Sequence, residues 1–274
     1  MLLSHSMSKD DCSWSLPPEP LTLPPDQVHV WQASLVQLPE TVRRLGQTLS
    51  EAELARAARF HFERDRQAFI VARGALRLLV AGYLICAPDD VQFTYGPHQK
   101  PALAHPETRP QLYFNVSHSH RQALFAFNWG REIGVDIEQI RPLSDDEAIA
   151  RRFFSARDYE TFIALPDHLR AEGFFNCWTR KEAYIKALGD GLTHPLDTFD
   201  VTLKPGDPAR LLAVRGAPDE VARWSMVALT PAGGYVAALV IEGHNWQLAC
   251  WQWTATEDEN SGNSGEFGGT GRNW

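Results

Sequence analysis

The chain has 274 residues, a formal net charge of −8, 44 % hydrophobic and 22 % charged residues. This composition excludes a wholly disordered chain, and its acidic balance argues against a protein that lives on non-specific nucleic-acid contacts. The length suits two domains of ordinary size or one large one, and nine Trp point to a substantial aromatic core.

Residues 1–27 carry five prolines (Pro17, Pro18, Pro20, Pro24 and Pro25) and little periodicity. They read as an extended arm outside the fold. Met1-Leu2-Leu3 gives way at once to polar residues, so no secretory leader is expected. No run approaches the ~18 apolar residues of a membrane span. Cys12, Cys86, Cys177 and Cys250 form no C-x-x-C pair. They read as buried reduced thiols, which fits a cytoplasmic protein.

A strand is expected from Val28, then a helix over 51–60 and a longer one over 64–85. The longer helix has Phe69, Ala72, Leu76, Leu79 and Tyr83 at helical spacing, and Pro88 follows it. Strands are expected over 91–95, 112–116, 122–127 and 133–137. The second half repeats this order. A helix over 171–188 ends at Gly189 and Gly191, and strands follow over 199–203, 224–229, 235–241 and 246–251. Val201 stands to Phe93 as Trp224 to Leu112 and Trp246 to Ile133, at a nearly constant separation. The expected fold is therefore α+β, with two similar α/β lobes (28–131 and 132–255) related by a pseudo-twofold axis and a site in the cleft between them. The plainer alternative is a single helix-then-strands α+β domain. Residues 256–274, acidic and then rich in Gly, Ser and Asn, read as a flexible tail.

Three clusters carry chemistry. In Gly134-Val135-Asp136-Ile137-Glu138, strand alternation points Asp136 and Glu138 one way and Val135 and Ile137 the other. Two carboxylates a strand-step apart suit Mg²⁺ or Mn²⁺, or else simply face water. In the helix around Cys177-Trp178-Thr179-Arg180-Lys181-Glu182, Trp178, Glu182 and Lys186 form one stripe. Glu182 and Lys186 are a functional pair or an ordinary surface ion pair. Phe114-Asn115-Val116-Ser117-His118-Ser119-His120 reads as a strand giving way to a loop whose hydroxyls and imidazole suit an anion. Upstream lie Arg56, Arg59, Arg73, Arg77 and Lys100, each either an anion ligand or a solvated cation. Together these groups suggest Mg²⁺-assisted chemistry on a phosphate anhydride.

The order Phe114 to Ser119, Gly134 to Glu138, then Trp178 to Leu192, with Arg151-Arg152-Phe153-Phe154-Ser155 between the last two, resembles the Sfp-type, single-chain 4′-phosphopantetheinyl transferases. The resemblance covers roughly residues 28–252. It implies the pseudo-dimeric two-lobe fold and transfer of phosphopantetheine from coenzyme A to a carrier-protein serine, with release of 3′,5′-ADP. It also implies Asp136, Glu138 and Glu182 as Mg²⁺ ligands, with Glu182 as the base. Lys186 and Lys181 would neutralise the pyrophosphate. Ser117 and His118 would meet the nucleotide's phosphates, and Arg73, Lys100 and Arg56 would surround them. Gln99-Lys100-Pro101 departs from the family's Gly-Lys-Pro. Two other classes remain open: a non-catalytic module binding coenzyme A or a carrier protein, and a metal-dependent hydrolase of nucleotide anhydrides. The expected partner is an acyl or peptidyl carrier protein, met by a monomer, with Arg151, Arg152 and Arg157 as its dock; neither nucleic acid nor membrane is expected.

Overall fold

The computed structural model describes residues 12–96, 100–104, 110–189 and 194–255. Expectations placed on residues 1–11, Gln99, Gly191 and the 256–274 tail lie outside them.

The chain forms β1 (Gln27–Ser34), α1 (Pro39–Gln47), α2 (Glu51–Ala57), α3 (Glu63–Leu84), β2 (Phe93–Tyr95), β3 (Pro101–Leu103), β4 (Leu112–Ser119) and β5 (Gln122–Trp129). There follow β6 (Ile133–Gln139), α4 (Asp146–Phe153), α5 (Ala156–Ile163), α6 (Asp167–Leu188), β7 (Phe199–Val201), β8 (Leu211–Val214), a one-turn α7 (Glu220–Arg223), β9 (Trp224–Leu229), β10 (Tyr235–Glu242) and β11 (Gln247–Gln252). The second series repeats the first: a strand, two short helices, a 22-residue helix, a small hairpin and a longer one. In this order β6 corresponds to β1, whereas the sequence pattern sets Ile133 against Trp246.

Local signals set the helix ends. Ser50 and Glu53 form a reciprocal capping box on α2, and the Ser155 hydroxyl caps α5. Helix α6 ends at Gly189 with φ 81°, a left-handed conformation that glycine adopts without strain. Helix α3 ends at Leu84, within a residue of the expected end, with Ile85 at φ 53° as its cap, and Pro88 opens a short 3₁₀ turn.

One sheet has the order β11-β1-β5-β4, the other β6-β10-β9. Their strands alternate faces. Ala123, Phe125 and Phe127 of β5 pack with α3 residues such as Val71, Ala75 and Leu79. Leu124 and Ala126 face the other way, into a shared core with Val135 and Ile137 of β6 and Leu239 of β10. Ala238 and Val240 of β10 then pack with Ala183 and Ala187 of α6. The layers run helices, sheet, sheet, helices. Period-two alternation buries both faces of each central strand.

Strand β11 leaves the second series and pairs in parallel with β1, from Gln27↔Gln247 to Gln32↔Gln252. Residues 132–255 therefore do not close on themselves. The expected arm also belongs to the fold from Cys12 onward. Ser15 bridges Trp251, the Trp14 indole donates to the Thr230 carbonyl at 2.8 Å, and Leu23 lies in the core. Cys12 and Cys250 are joined as a disulfide across a sequence separation of 238. That corrects the expectation of four reduced thiols. Cys177 is free and buried, and Cys86 is free and exposed just past the end of α3.

By length and composition α3 is long and apolar enough to cross a membrane. Here it is a core helix. Gly74 lets it approach α1, since a β-carbon there would stand 2.8 Å from Leu45 Cβ. Arg77, buried on the same helix, is held by Glu53 at 2.7 Å and donates to the Pro88 and Val91 carbonyls.

Candidate active site

The site forms where β4, β6 and the end of α6 meet. Gly134 makes that meeting possible. A β-carbon there would overlap the Ala183 carbonyl oxygen and lie 2.5 Å from the Ala187 amide nitrogen, both backbone atoms of α6. Gly134 shares its strand face with Asp136, so the close approach brings the Asp136 carboxylate against α6.

There Lys186 Nζ donates to Asp136 Oδ1 at 2.6 Å, to Ser117 Oγ at 3.0 Å and to the Val135 carbonyl at 3.3 Å. Ser117 Oγ in turn donates to Asp136 Oδ1 at 2.7 Å. The pairing joins a hydroxyl from the first series to a carboxylate and an ammonium from the second. Of the two readings for Lys186, the surface pair with Glu182 gives way to an ion pair with Asp136.

Glu182, one turn before Lys186 on α6, is buried. Burial first, and then the neighbouring Asp136 carboxylate, push its pKa up to about 7, against the opposing pull of Lys186. Asp136 Oδ2 and Glu182 Oε1 are both buried and make no hydrogen bond. Buried carboxylate oxygens are normally satisfied, and a hard cation is the partner such oxygens suit. Glu138 stands a strand-step on. Its Oε2 accepts from Ser119 Oγ at 2.8 Å and lies 3.5 Å from Arg141 Nη1. Among the described residues, no group of three or more His, Cys, Asp or Glu side chains is placed to hold a metal ion by itself.

Strand β4 runs unbroken to Ser119, which corrects the expected loop at Ser117 and His118. The turn comes only at His120, with φ 51°. Along the strand, Asn115, Ser117 and Ser119 alternate onto one side and each bonds to β6: Asn115 Oδ1 accepts from the Val135 amide at 2.9 Å, and Ser119 Oγ from the Gln139 amide at 3.2 Å. His118 projects to the other side and is exposed. The motif includes Asn115 and Ser119, but the strand expected over 112–116 stops short of Ser117 and Ser119; extending it by three residues to Ser119 places all three on one face through period-two spacing.

Lys181 does not reach this site. It is wholly buried, paired with Asp158 at 2.6 Å, and donates to the Leu196 and Phe199 carbonyls at 2.8 and 2.6 Å. The ammonium is thus held in the core beneath α6 by one carboxylate and two carbonyls, and the expected role on a pyrophosphate is corrected. Lys100 Nζ donates to the Lys186 carbonyl at 2.6 Å, a cation at the carbonyl end of α6. Burial lowers its pKa, while Glu132 raises it.

Arg56 and Arg73 belong to a second region. Arg56 and Arg59 line a pocket of about 520 Å³ with Glu53, Phe93 and Tyr95. The Arg73 guanidinium lies over Phe69, Phe93 and Tyr95 at 5.4–5.8 Å, and 3.6 Å from Glu53. Its Nη1 is buried without a hydrogen bond, and desolvation lowers its pKa. Three aromatic faces and one incompletely satisfied guanidinium suit an anion attached to a flat ring. Arg77 is spent on Glu53 and the backbone.

Arg151 and Arg152 lie on α4 and Arg157 on α5, all exposed. Arg151 bonds Glu147 and Tyr159. Beside them Phe153 exposes 38 % of its surface.

Comparison with known proteins matches residues 132–240 to the 4′-phosphopantetheinyl transferase superfamily and residues 30–128 to the 4′-phosphopantetheinyl transferase N-terminal family. The 4′-phosphopantetheinyl transferase HetI of Nostoc sp. is 42 % identical over 241 residues, 88 % of this chain and 98 % of that protein. A putative 4′-phosphopantetheinyl transferase of Synechocystis sp. is 39 % identical over 149 residues, 54 % of this chain and 60 % of its own. The 4′-phosphopantetheinyl transferase Sfp of Bacillus subtilis is 32 % identical over 155 residues, 57 % of this chain and 66 % of its own.

Proposed function

Because this chain belongs to the Sfp-type 4′-phosphopantetheinyl transferases and is an enzyme of that activity, we propose that coenzyme A is its donor. The acceptor is a serine hydroxyl of an apo acyl or peptidyl carrier protein, and the reaction depends on Mg²⁺, with Mn²⁺ able to replace it. The observation that carries this reading is the pair of buried, unbonded carboxylate oxygens, Asp136 Oδ2 and Glu182 Oε1, beside the Lys186 ammonium.

Asp136 and Glu182, with Glu138, would hold the divalent ion. When bound, that ion would offset the pyrophosphate's charge as the bond to the leaving phosphate breaks. The chain's own groups do the rest. Glu182 takes the proton from the attacking serine hydroxyl. The serine oxygen bonds to the phosphorus that carries pantetheine, and the anhydride oxygen leaves with 3′,5′-ADP. Lys186 holds Asp136 Oδ1 and adds positive charge beside the phosphates. His118, on the outer side of β4, the pocket lined by Arg56, and Arg73 over Phe93 and Tyr95 bind the nucleotide end.

The repeated element order supports two lobes, 28–131 and 132–255, related by a pseudo-twofold axis. The bond from Ser117 to Asp136 then marks their seam and the site lies in the cleft. The carrier docks on Arg151, Arg152 and Arg157, where acidic residues around its serine would find complementary charge. The enzyme acts as a monomer in the cytoplasm, with no nucleic-acid or membrane partner.

The test is intact-mass analysis of a panel of apo carrier proteins incubated with enzyme, Mg²⁺ and coenzyme A. A gain of one phosphopantetheine on at least one carrier is expected, and no gain on any carrier overturns the proposal. Release of 3′,5′-ADP without a carrier would indicate the hydrolase instead.

A further inference from the structure

Three polar side chains of β4 reach across to β6, and two of them end on acids. Ser117 Oγ donates to Asp136 Oδ1. Ser119 Oγ donates to Glu138 Oε2 at 2.8 Å and accepts from the Gln139 amide at 3.2 Å. A hydroxyl has one proton and two lone pairs. Ser119 commits the proton to the carboxylate and a lone pair to the backbone beside it. It is buried, with 7 % of its surface exposed, so water does not compete freely for either bond.

The consequence is a fixed rotamer. Glu138 is a long, half-buried side chain at the end of its strand, and without a tether its carboxylate would sample several positions. Its ion pair with the exposed Arg141, at 3.5 Å, is of small worth. Ser119 and Arg141 both engage Oε2, and neither engages Oε1. The serine therefore orients the carboxylate and leaves one oxygen for a cation. Ser117 does the same for Asp136, whose Oδ2 stays unbonded.

We propose that Ser119 is a positioning residue that orients the Glu138 carboxylate for the divalent ion, one strand-step beyond the hydroxyl that orients Asp136. This rests on the reading of Asp136, Glu138 and Glu182 as the ion's holders. Groups that orient a metal-binding carboxylate typically change metal affinity by about 10–100-fold when removed.

The experiment is Mn²⁺ binding to the full chain, followed by the loss of free-ion electron paramagnetic resonance signal, with the Mg²⁺ dependence of transfer measured in parallel. Ser119→Ala should weaken Mn²⁺ binding about tenfold or more and raise the half-saturating Mg²⁺ by a similar factor. Raising Mg²⁺ should recover much of the lost rate. Ser119→Thr, which keeps the hydroxyl, should restore affinity. A merely structural serine would lower the melting temperature without moving either affinity. Should Ser119→Ala not fold, Ser119→Cys keeps the size with a weaker donor and should give an intermediate loss. Parent protein that binds Mn²⁺ while the folded serine variant binds it equally well overturns the role of Ser119. Parent protein that transfers phosphopantetheine yet binds no Mn²⁺, with or without coenzyme A, overturns the assignment of the ion's holders itself.

Discussion

Gly134 lies so close to Ala183 that no side chain fits between them: a β-carbon on the strand would overlap the helix carbonyl. The contact sets the distance between β6, which carries Asp136, and α6, which carries Glu182 and Lys186. The obstructing atoms, from Ala183, Lys186 and Ala187, are all backbone and cannot rotate away. Gly134→Ala should therefore destabilise the fold by about 3 kcal/mol or more. It should also reduce transfer at least tenfold in the protein that still folds. Thermal melts and initial rates check this, and a fully active variant of unchanged melting temperature would refute the close-packing account.

Lys181 and Lys186 should separate stability from activity. Lys181→Met strands the buried Asp158 charge, at a cost of about 3–5 kcal/mol. Pairing it with Asp158→Asn should recover part of that loss. Lys186→Met removes a partly exposed ammonium from Asp136 and should leave the fold largely intact while lowering the transfer rate by about two orders of magnitude or more. Urea unfolding and single-turnover rates on the same preparations distinguish the two. Equal loss of stability in both variants would contradict the placement of Lys181 in the core and Lys186 at the site.

Without metal, the Glu182 carboxyl should titrate at about 7, because burial and Asp136 disfavour its charged form. A cation favours the charged form, so Mg²⁺ should lower that value. The ionised base is lost as pH falls through the pKa, and transfer at limiting Mg²⁺ should decline on the acidic side of pH 7. Carboxyl-¹³C NMR of the parent against Glu182→Gln reads the titration directly. An ordinary carboxylate value in the metal-free protein would remove the basis for Glu182 as the base.

His29 gives a separate pH dependence, in stability. It is buried, and its pKa is lowered from 6.5 to about 4 by desolvation. Trp31 donates to the Tyr83 hydroxyl, which can donate to His29 Nδ1, while Nε2 faces Gln27 Oε1. The unfolded chain takes up this proton below pH 6.5, and the folded one only near 4. Stability from this group is therefore complete above pH 6.5 and lost as pH falls toward 4, by about 3 kcal/mol in all. Urea titrations at pH 7 and 4.5 should show a steeper loss for the parent than for His29→Gln. Parallel pH profiles would exclude His29 as a source.

Reduction of Cys12–Cys250 should lower the melting temperature, since the bond closes nearly the whole chain and ties the arm to β11. A crosslink of this kind typically contributes about 2–4 kcal/mol. Cys12→Ser should reproduce the effect of reductant and remove any further response to it. Disulfides are rare in the cytosol, so thiol counting on protein from that compartment also tests where the enzyme works. Identical melts with and without reductant, in protein shown to carry the bond, would remove the arm as a source of stability.

Much of this protein was determined locally and was legible in the sequence. The repeated order of strand, long helix and strands follows from hydrophobic period. The Asp136–Glu138 face follows from alternation along β6, and the Glu182–Lys186 stripe from helical spacing. Each is a relation between near neighbours, fixed by backbone geometry. The tertiary structure decided what those faces meet. Lys181 and Lys186 lie five positions apart on a helix of about 3.6 residues per turn, and so on different faces. Only the packing of α6 shows that one ammonium enters the core and the other meets Asp136. Nor could spacing pair Ser119 with Glu138, Cys12 with Cys250, or β11 with β1. The net charge of −8 gives a sum over the chain. Whether its carboxylates face water, a lysine or a cation depends on burial and distance, which sequence order alone does not carry.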